Sequence, residues 1–551
     1  MKKHIKYFIG ACTMIAVGST GCKKSFFNRP PEDQATVGTY YQTTAQVQSS
    51  TNILYAAPWF GFNGKAFLAV GDLQSGNAVC YAGTDGEFDA FRNFSEGNAT
   101  LAVQSTWNSL YTVVAQCNAL LNNLPTAAPA SVPAAVVNNA LGEARLMRAA
   151  AYFYLVRLFG NVPIITDPAP FVGTFQTVPT NPVTDVYKFM IIDLQYAEAN
   201  CTPHVANTGH VSSASASALM AKIYLYEQDY ADAKAEAEKV INSGEFGLLG
   251  LDNTSGTYVN LFETAFNNNL ESIIALQWTS NGGYGFGNQI QSVIADGENG
   301  NYLTGTGDGY GELGPSWDLQ DLFKAEGDTI RRHGCIMLGG EYYPELHKKT
   351  GGYTVPLAVN EQGVHAAMKK YVVGTPDDNN GASAAQATSN NTYLMRYADI
   401  YLIEAEAIMG LAANVQPGTG IPLTTSSSDP TALKYLNLVR KRAGLTVLTS
   451  FTYQQLLNER RLEFAIEGDY WYDLQRIDGF NNAHHPVAIA IISGQNRGDS
   501  DGGGTAANNY TDYHRNTLHV IPTDASFIMP IPATDVQADP TLEQPPVPYK
   551  F

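Results

Sequence analysis

The chain has 551 residues and a net charge of −18, with only 15% charged residues against 31 Tyr, 24 Phe and 50 Gly. That length exceeds the usual reach of one hydrophobic core and predicts two lobes or an extended layered body. The acidity excludes nucleic acid as a partner, because the protein's own field repels a phosphate backbone. Low charge leaves a polar surface of Asn, Ser, Thr and Tyr, which suits neutral polar ligands such as carbohydrate.

Residues 1–21 carry Lys2, Lys3 and Lys6, an apolar run from Tyr7 to Val17, and then Gly18, Ser19, Thr20 and Gly21. Basic, apolar and small-residue regions in that order make a secretory signal. The apolar run is about half the ~20 residues that a bilayer-spanning helix needs. Cys22 then resembles the residue at which bacterial lipoproteins are cut and acylated, so it is the expected lipid anchor. Acyl chains hold a protein to a membrane at about 0.8 kcal/mol per buried CH₂. A short tether with Pro30 and Pro31 follows. Cys80, Cys117, Cys201 and Cys335 are far apart and form no CxxC pair, which argues against zinc and for four isolated buried thiols.

Helical signals then recur. Residues 106–124 place Trp107, Leu110, Tyr111, Val114 and Leu121 on one face, with Pro125 as the expected stop. An Ala/Pro loop and a second helix over 142–160 follow, the latter ended by Gly160 and Pro163. Over 215–243, Ala221, Tyr224, Tyr230, Ala233, Ala237 and Val240 take the small and aromatic positions of a tetratricopeptide-like helix pair. Residues 393–409, 435–442 and 453–468 read as further helices. Between them, 61–97 and 282–314 are long irregular stretches rich in Gly, Asn and aromatics, and loops of that length are uncommon unless functional. Residues 377–391 and 494–509 read as exposed polar segments.

The candidate chemistry is sparse. Glu459, Glu463 and Glu467 stand one helical turn apart among Arg460, Arg461 and Arg476, the spacing of ion pairs rather than of a catalytic acid and base. Asp85, Glu87, Asp89, Asn93 and Glu96 match calcium-loop positions, but Ala90 stands where the sharp turn needs Gly. The alternating glycines 283, 285 and 287 lack the flanking strand and Lys of a phosphate cradle. No catalytic residue, metal or cofactor is expected. Loop aromatics are the best functional candidates, since flat rings stack on the C–H faces of sugars while Asn, Gln and Asp bond their hydroxyls. Tyr81, Phe88, Phe91 and Phe94 lie in the first long loop. Tyr284, Phe286, Tyr302 and Tyr310 lie in the second, beside Asn288, Gln289, Asn301 and Asp308. Of these, Tyr81, Phe91, Tyr284, Phe286, Tyr302 and Tyr310 are the expected ligand-binding rings. Trp59, Trp107, Trp278, Trp317 and Trp471 read as core.

The segment 456–478, LLNERRLEFAIEGDYWYDLQRID, resembles the signature of the SusD/RagB family of outer-membrane nutrient-binding lipoproteins. Residues 142–163 look like that family's EAR-x-x-RA-x-x-YF block, and 210–246 like its first repeat pair. Residues 394–407 look like its RYAD-x-YL helix and 527–549 its PIP-x-x-E ending. Asp469 and Tyr470 depart from the usual His and Arg. The resemblance implies a mostly α fold in which tetratricopeptide-like helix pairs form a scaffold for long irregular ligand-binding loops. It implies an N-terminal region over 22–250 and a C-terminal region over 251–551, packed as one body. It also implies a lipid-anchored, surface-facing outer-membrane protein that captures oligosaccharide without catalysis for a SusC-like TonB-dependent transporter. The alternatives are a peptide-capturing relative and a purely structural subunit of the transporter complex.

Overall fold

The computed structural model describes residues 40–80, 86–167, 177–203, 208–252, 256–297, 300–359, 361–416, 418–498 and 518–551. Cys22, Tyr81 and Asp85 lie outside the described residues, as does much of 494–509.

The scaffold is a succession of packed helices. They are α1 (Leu101–Ala127), α2 (Ala134–Phe159), α3 (Val183–Asn200), α4 (Ser213–Glu227) and α5 (Tyr230–Ser243). A long insertion then carries α6 (Trp317–Glu326) and α7 (Thr329–Cys335), and beyond it come α8 (Tyr397–Ala413), α9 (Pro430–Arg442), α10 (Tyr453–Glu463), α11 (Tyr470–Arg476) and α12 (Pro486–Gly494). Each of α1 to α4 packs on the next, α5 packs on α8, and α8 packs on α9 and α10. The small residues permit this. Ala221, Ala233 and Ala237 are fully buried between α4 and α5, and a Cβ on Gly410 of α8 would lie 2.6 Å from the Tyr230 ring of α5. The repeat-like pairing therefore resumes after the insertion as if it were absent.

Local chemistry sets the helix ends. Ser212 caps α4 by accepting from the Ser215 N–H, and Asp229 does the same for α5 through Asp232. Gly160 closes α2 at φ +69°, a left-handed value that favours glycine. Among the described residues no helix is long and apolar enough to cross a membrane.

The insertion, residues 244–396, is closed by a clasp. Strand β1 (Ser272–Leu276) pairs antiparallel with β4 (Thr392–Arg396), Thr392 opposite Leu276 and Arg396 opposite Ser272. Between them a short hairpin joins β2 (Ser383–Ala384) and β3 (Ala387–Thr388).

Several local expectations are corrected. Pro125 does not stop α1, which runs to Ala127. In the last turn a missing N–H forfeits a single bond and the helix absorbs it. The Ala/Pro loop is shorter than expected, because α2 already starts at Ala134. Residues 393–396 are strand, held by the ladder to β1 rather than by helical spacing. Helix α10 stops at Glu463, and Ile466 and Gly468 turn the chain at φ +61° and +71°. The described parts of 61–97 are largely helical and buried, with π-type turns over Phe62–Ala66 and Ala69–Gln74. A Cβ on Gly71 would come within 2.1 Å of the Gly468 Cα, so two backbones touch there. Residues 377–391 are not merely exposed, since Asp378, Ser383, Thr388, Asn390 and Asn391 are all buried. Glu87 and Asp89 stand on a helix, Gly86–Arg92, and Asp89 pairs with Arg92 at 2.7 Å. A helix is the wrong backbone for a calcium loop.

The charged segment on α10 is structural, as its spacing suggested, but its partners are tertiary rather than local. Arg396 reaches Glu271 at 2.6 Å, Glu463 at 2.5 Å and Glu467 at 2.7 Å. Arg442 meets Glu271 at 2.6 Å and also Glu463. Arg331 meets Asp328, with Glu459 at 2.7 Å and Glu463 at 3.0 Å. Arg460 holds Asp399 and Asp473 at 2.7 and 2.8 Å. These groups are buried and join the insertion to the C-terminal helices. Burial alone would raise the Glu463 carboxyl, but Arg442, Arg396 and Arg331 hold it far below the carboxylate range. All five tryptophans are core, as expected, and the four described cysteines are buried outside any disulfide.

Candidate functional site

The site is best approached through its exposed rings. Among the described residues the exposed large aromatic side chains are Tyr284, Phe286, Tyr302, Tyr310, Tyr342 and Phe551. All but the last belong to the insertion. The scaffold buries its rings and the insertion presents them. An exposed large apolar surface is the informative departure from the usual burial rule.

Tyr284 and Phe286 project from a turn that two left-handed glycines make possible, Gly283 at φ +68° and Gly285 at φ +92°. The Thr279 N–H donates to the Phe286 carbonyl at 3.0 Å and closes the turn. Phe60 stands edge-on to Tyr284 at 5.0 Å and in turn meets Trp278 at 6.5 Å. The exposed ring therefore rests on two packed ones. Asn288 is not a ligand group. It is fully buried, accepts from Asn63 at 3.1 Å, and donates to the Asn390 carbonyl at 3.0 Å. Its backbone pairs with Thr388 and ties the turn to the 383–388 hairpin.

That hairpin leads to the next ring. The Gln386 side chain donates to the Tyr310 hydroxyl at 2.9 Å, while its backbone N–H donates to Asp308. Asp308 also accepts from Ser292 at 2.7 Å. Burial would raise this carboxyl, but the Gln386 N–H and the Thr306 and Ser292 hydroxyls together hold it below its ordinary value. Asp308 is thus an ionised anchor for the loop rather than an exposed partner for sugar.

Tyr302 stacks on His347 at 4.1 Å and lies 6.2 Å from Tyr353. His347 sits at φ +54°, held by its N–H donating to Asp378 at 2.9 Å. Asp378 accepts from Lys348 and Thr375 as well, and these N–H groups lower its carboxyl against the effect of burial. Tyr342 rests on Gly352, where a Cβ would lie 2.3 Å from its hydroxyl oxygen, and it donates to the Gly351 carbonyl at 2.7 Å.

The structure therefore keeps four of the six expected rings exposed, and contacts through the hairpin link Tyr284 and Phe286 to Tyr310. Phe91 is corrected. It is 1% exposed and packed in the core with Phe88, so neither ring has a face to offer. Phe94 stacks on Trp471 at 5.9 Å. Tyr81 lies outside the described residues, as does the Asn301 side chain. Sequence reasoning missed Tyr342, His347, Tyr353 and Gln386. The glycine pair 351–352, following the Tyr342–Tyr343 dipeptide, was the available signal.

This is a helical-repeat scaffold with one long, aromatic-bearing insertion, and comparison with known proteins gives it a family. A profile of the SusD family matches residues 270–547. Another, described as starch-binding associating with outer membrane, matches residues 88–225. A SusD-like protein of Bacteroides ovatus is 30% identical over 551 residues, covering 96% of each chain. SusD-like protein P2 of Formosa agariphila is 28% identical, covering 82% of this chain and 87% of its own. A solved structure with xylogluco-oligosaccharide superposes with a TM-score of 0.77 at 28% identity, covering 92% of this chain and 99% of that one. The chain belongs to the SusD family.

Proposed function

We propose that this protein is a lipid-anchored glycan-binding protein of the outer membrane. In this reading it captures oligosaccharide on the rings of the insertion and passes it to a SusC-like TonB-dependent transporter without altering it. The observation that carries the reading is the segregation of exposed aromatic side chains into one insertion. Tyr284, Phe286, Tyr302 and Tyr310 offer flat faces for sugar C–H groups, and Tyr284, Tyr302 and Tyr310 are each braced from behind or by a hydrogen bond. Bracing lowers the entropy lost when a ligand settles. The full-length similarity to a protein solved with xylogluco-oligosaccharide supports the ligand class, and the family description supports the location.

The test is affinity electrophoresis of the mature chain through gels carrying xyloglucan, starch and other polysaccharides, with reducing ends assayed in the same samples. Retention by one glycan class without new reducing ends is expected. No retention on any glycan, or release of reducing ends, overturns the reading. For the anchor, Cys22→Ser should move the protein from the membrane fraction to the soluble one. For the partner, a TonB-dependent transporter should copurify with the wild-type protein from solubilised outer membranes.

A further inference from the structure

Away from the exposed rings, a cavity of about 530 Å³ opens between α2, α3, α11 and the 479–485 turn. Its floor contains Arg157, which is 5% exposed. Nearly every buried cation in this acidic chain has a carboxylate partner, but among the described residues Arg157 has none within ion-pair reach. Its guanidinium lies between the Phe153 and Tyr472 rings, 3.7 and 3.9 Å from their centroids. The Nε donates to the Phe153 carbonyl at 2.8 Å and Nη1 to the Tyr226 hydroxyl at 3.4 Å. The Tyr154 hydroxyl is a third hydrogen-bond partner of the guanidinium, which still leaves N–H donors of the five unspent. Asp469 acts on Arg157 through space, but it is committed to Lys222 at 2.8 Å and Arg460 at 3.3 Å.

Other groups converge on the same space. Tyr187 is 4% exposed and its hydroxyl has no partner among the described residues. His485 lines the wall, 5% exposed, stacked on Phe527, with Nδ1 unpartnered. Gln475 spends its amide N–H groups on the Arg157 and Phe527 carbonyls at 2.6 and 2.9 Å, which leaves its carbonyl oxygen as an acceptor. Phe480 and Ile528 make the apolar sides, and Asn161 and Asn481 stand at the mouth. Asp524 is also at the rim, but its charge is taken up by His484 at 3.0 Å and the His485 N–H at 2.8 Å.

An apolar cleft with a few converging polar groups is the usual form of a small-ligand site. A guanidinium with N–H donors to spare and no carboxylate partner recognises a carboxylate. We propose that this cavity binds a ring-bearing monocarboxylate, a hexuronic acid unit being the chemistry that uses all of its groups. The carboxylate meets Arg157, the ring lies against Phe480 and Tyr187, and the hydroxyls face Gln475, Asn161 and Asn481.

The test is saturation-transfer NMR on the whole mature chain with glucuronate, using glucose as the neutral counterpart. Glucuronate should receive saturation and bind about tenfold or more tightly than glucose, as loss of a charge-assisted pair implies. Ala483→Trp, at an exposed position on the mouth, should abolish the signal while leaving polysaccharide retention unchanged. Arg157→Gln should abolish it too, and Tyr187→Phe should weaken it several-fold. If Arg157→Gln fails to fold, Ala483→Trp and Tyr187→Phe decide the matter. Equal binding of glucose and glucuronate, a signal that survives Ala483→Trp, or no signal at all overturns the proposal. Tyr284→Ala should leave glucuronate binding intact, so failure of this cavity and failure of the aromatic platform are separable.

Discussion

Tyr284 and Phe91 show how one residue type splits by position. Both are rings in Gly-rich stretches, yet Tyr284 is 66% exposed and Phe91 is 1% exposed. Tyr284→Ala should lower glycan retention about tenfold, roughly one lost stacking contact, with an unchanged melting temperature. Phe91→Ala should instead cost about 3–5 kcal/mol of stability through the cavity it leaves, read by denaturant unfolding. Unchanged retention in Tyr284→Ala, with normal melting, would remove that ring from the site. Glu361 offers a pH test at the same scale. Burial, opposed by the Gly297 N–H but reinforced by the neighbouring Asp296, pushes its carboxyl up to about 8. Such a group is neutral in the fold while the unfolded chain ionises near pH 4. Stability is therefore lost as pH rises from about 4 towards 8. Glu361→Gln should flatten that part of the melting-temperature profile, most visibly between pH 6 and 8.

At the scale of elements, the insertion is held to the scaffold by the β1–β4 clasp and by charge. Arg331 of α7 faces Asp328, Glu459 and Glu463 in full burial. Arg331→Met leaves three carboxylates short of a cation and should cost about 3–5 kcal/mol, again by denaturant titration. A loss below about 1 kcal/mol would show that Arg396, Arg440 and Arg442 share the load. The helical elements were mostly legible, because apolar residues at 3.6-residue spacing mark a buried face wherever that face lies. Residues 393–396 were not, since a short apolar run is compatible with helix or strand until its ladder partner is known. Here the partner is more than a hundred residues away.

The whole molecule should be acid-sensitive. Asp399, Glu406 and Glu463 are held below their ordinary values by arginines and Lys222, against the effect of burial. A depressed carboxyl contributes stability that is present above the unfolded value near 4 and lost as pH falls through the folded one. Unfolding free energy should therefore drop steeply below about pH 4, measured by circular dichroism, while Glu361 and other raised carboxyls erode it more gently above. A flat profile between pH 2 and 5 would mean the network is not ionised as the geometry implies. The same network gives the carboxylates of segment 459–473 a structural role. Glu459, Glu463, Glu467 and Asp469 are committed to cations from other parts of the chain, and Asp473 to Arg460 and Arg476.

What the sequence determined by itself was the class of fold, the helix pairs, the structural character of the α10 charges and, of the two ring-rich regions it marked, the one over 282–314 that presents its rings. These rest on local periodicity and on motifs that read along the chain. Which rings are exposed was decided only by tertiary structure, and so was the cavity around Arg157. Exposure is a property of what packs against a side chain. The chain brings Trp471 to Phe94, Gly468 to Gly71 and Gln386 to Tyr310 across distances that no local pattern records.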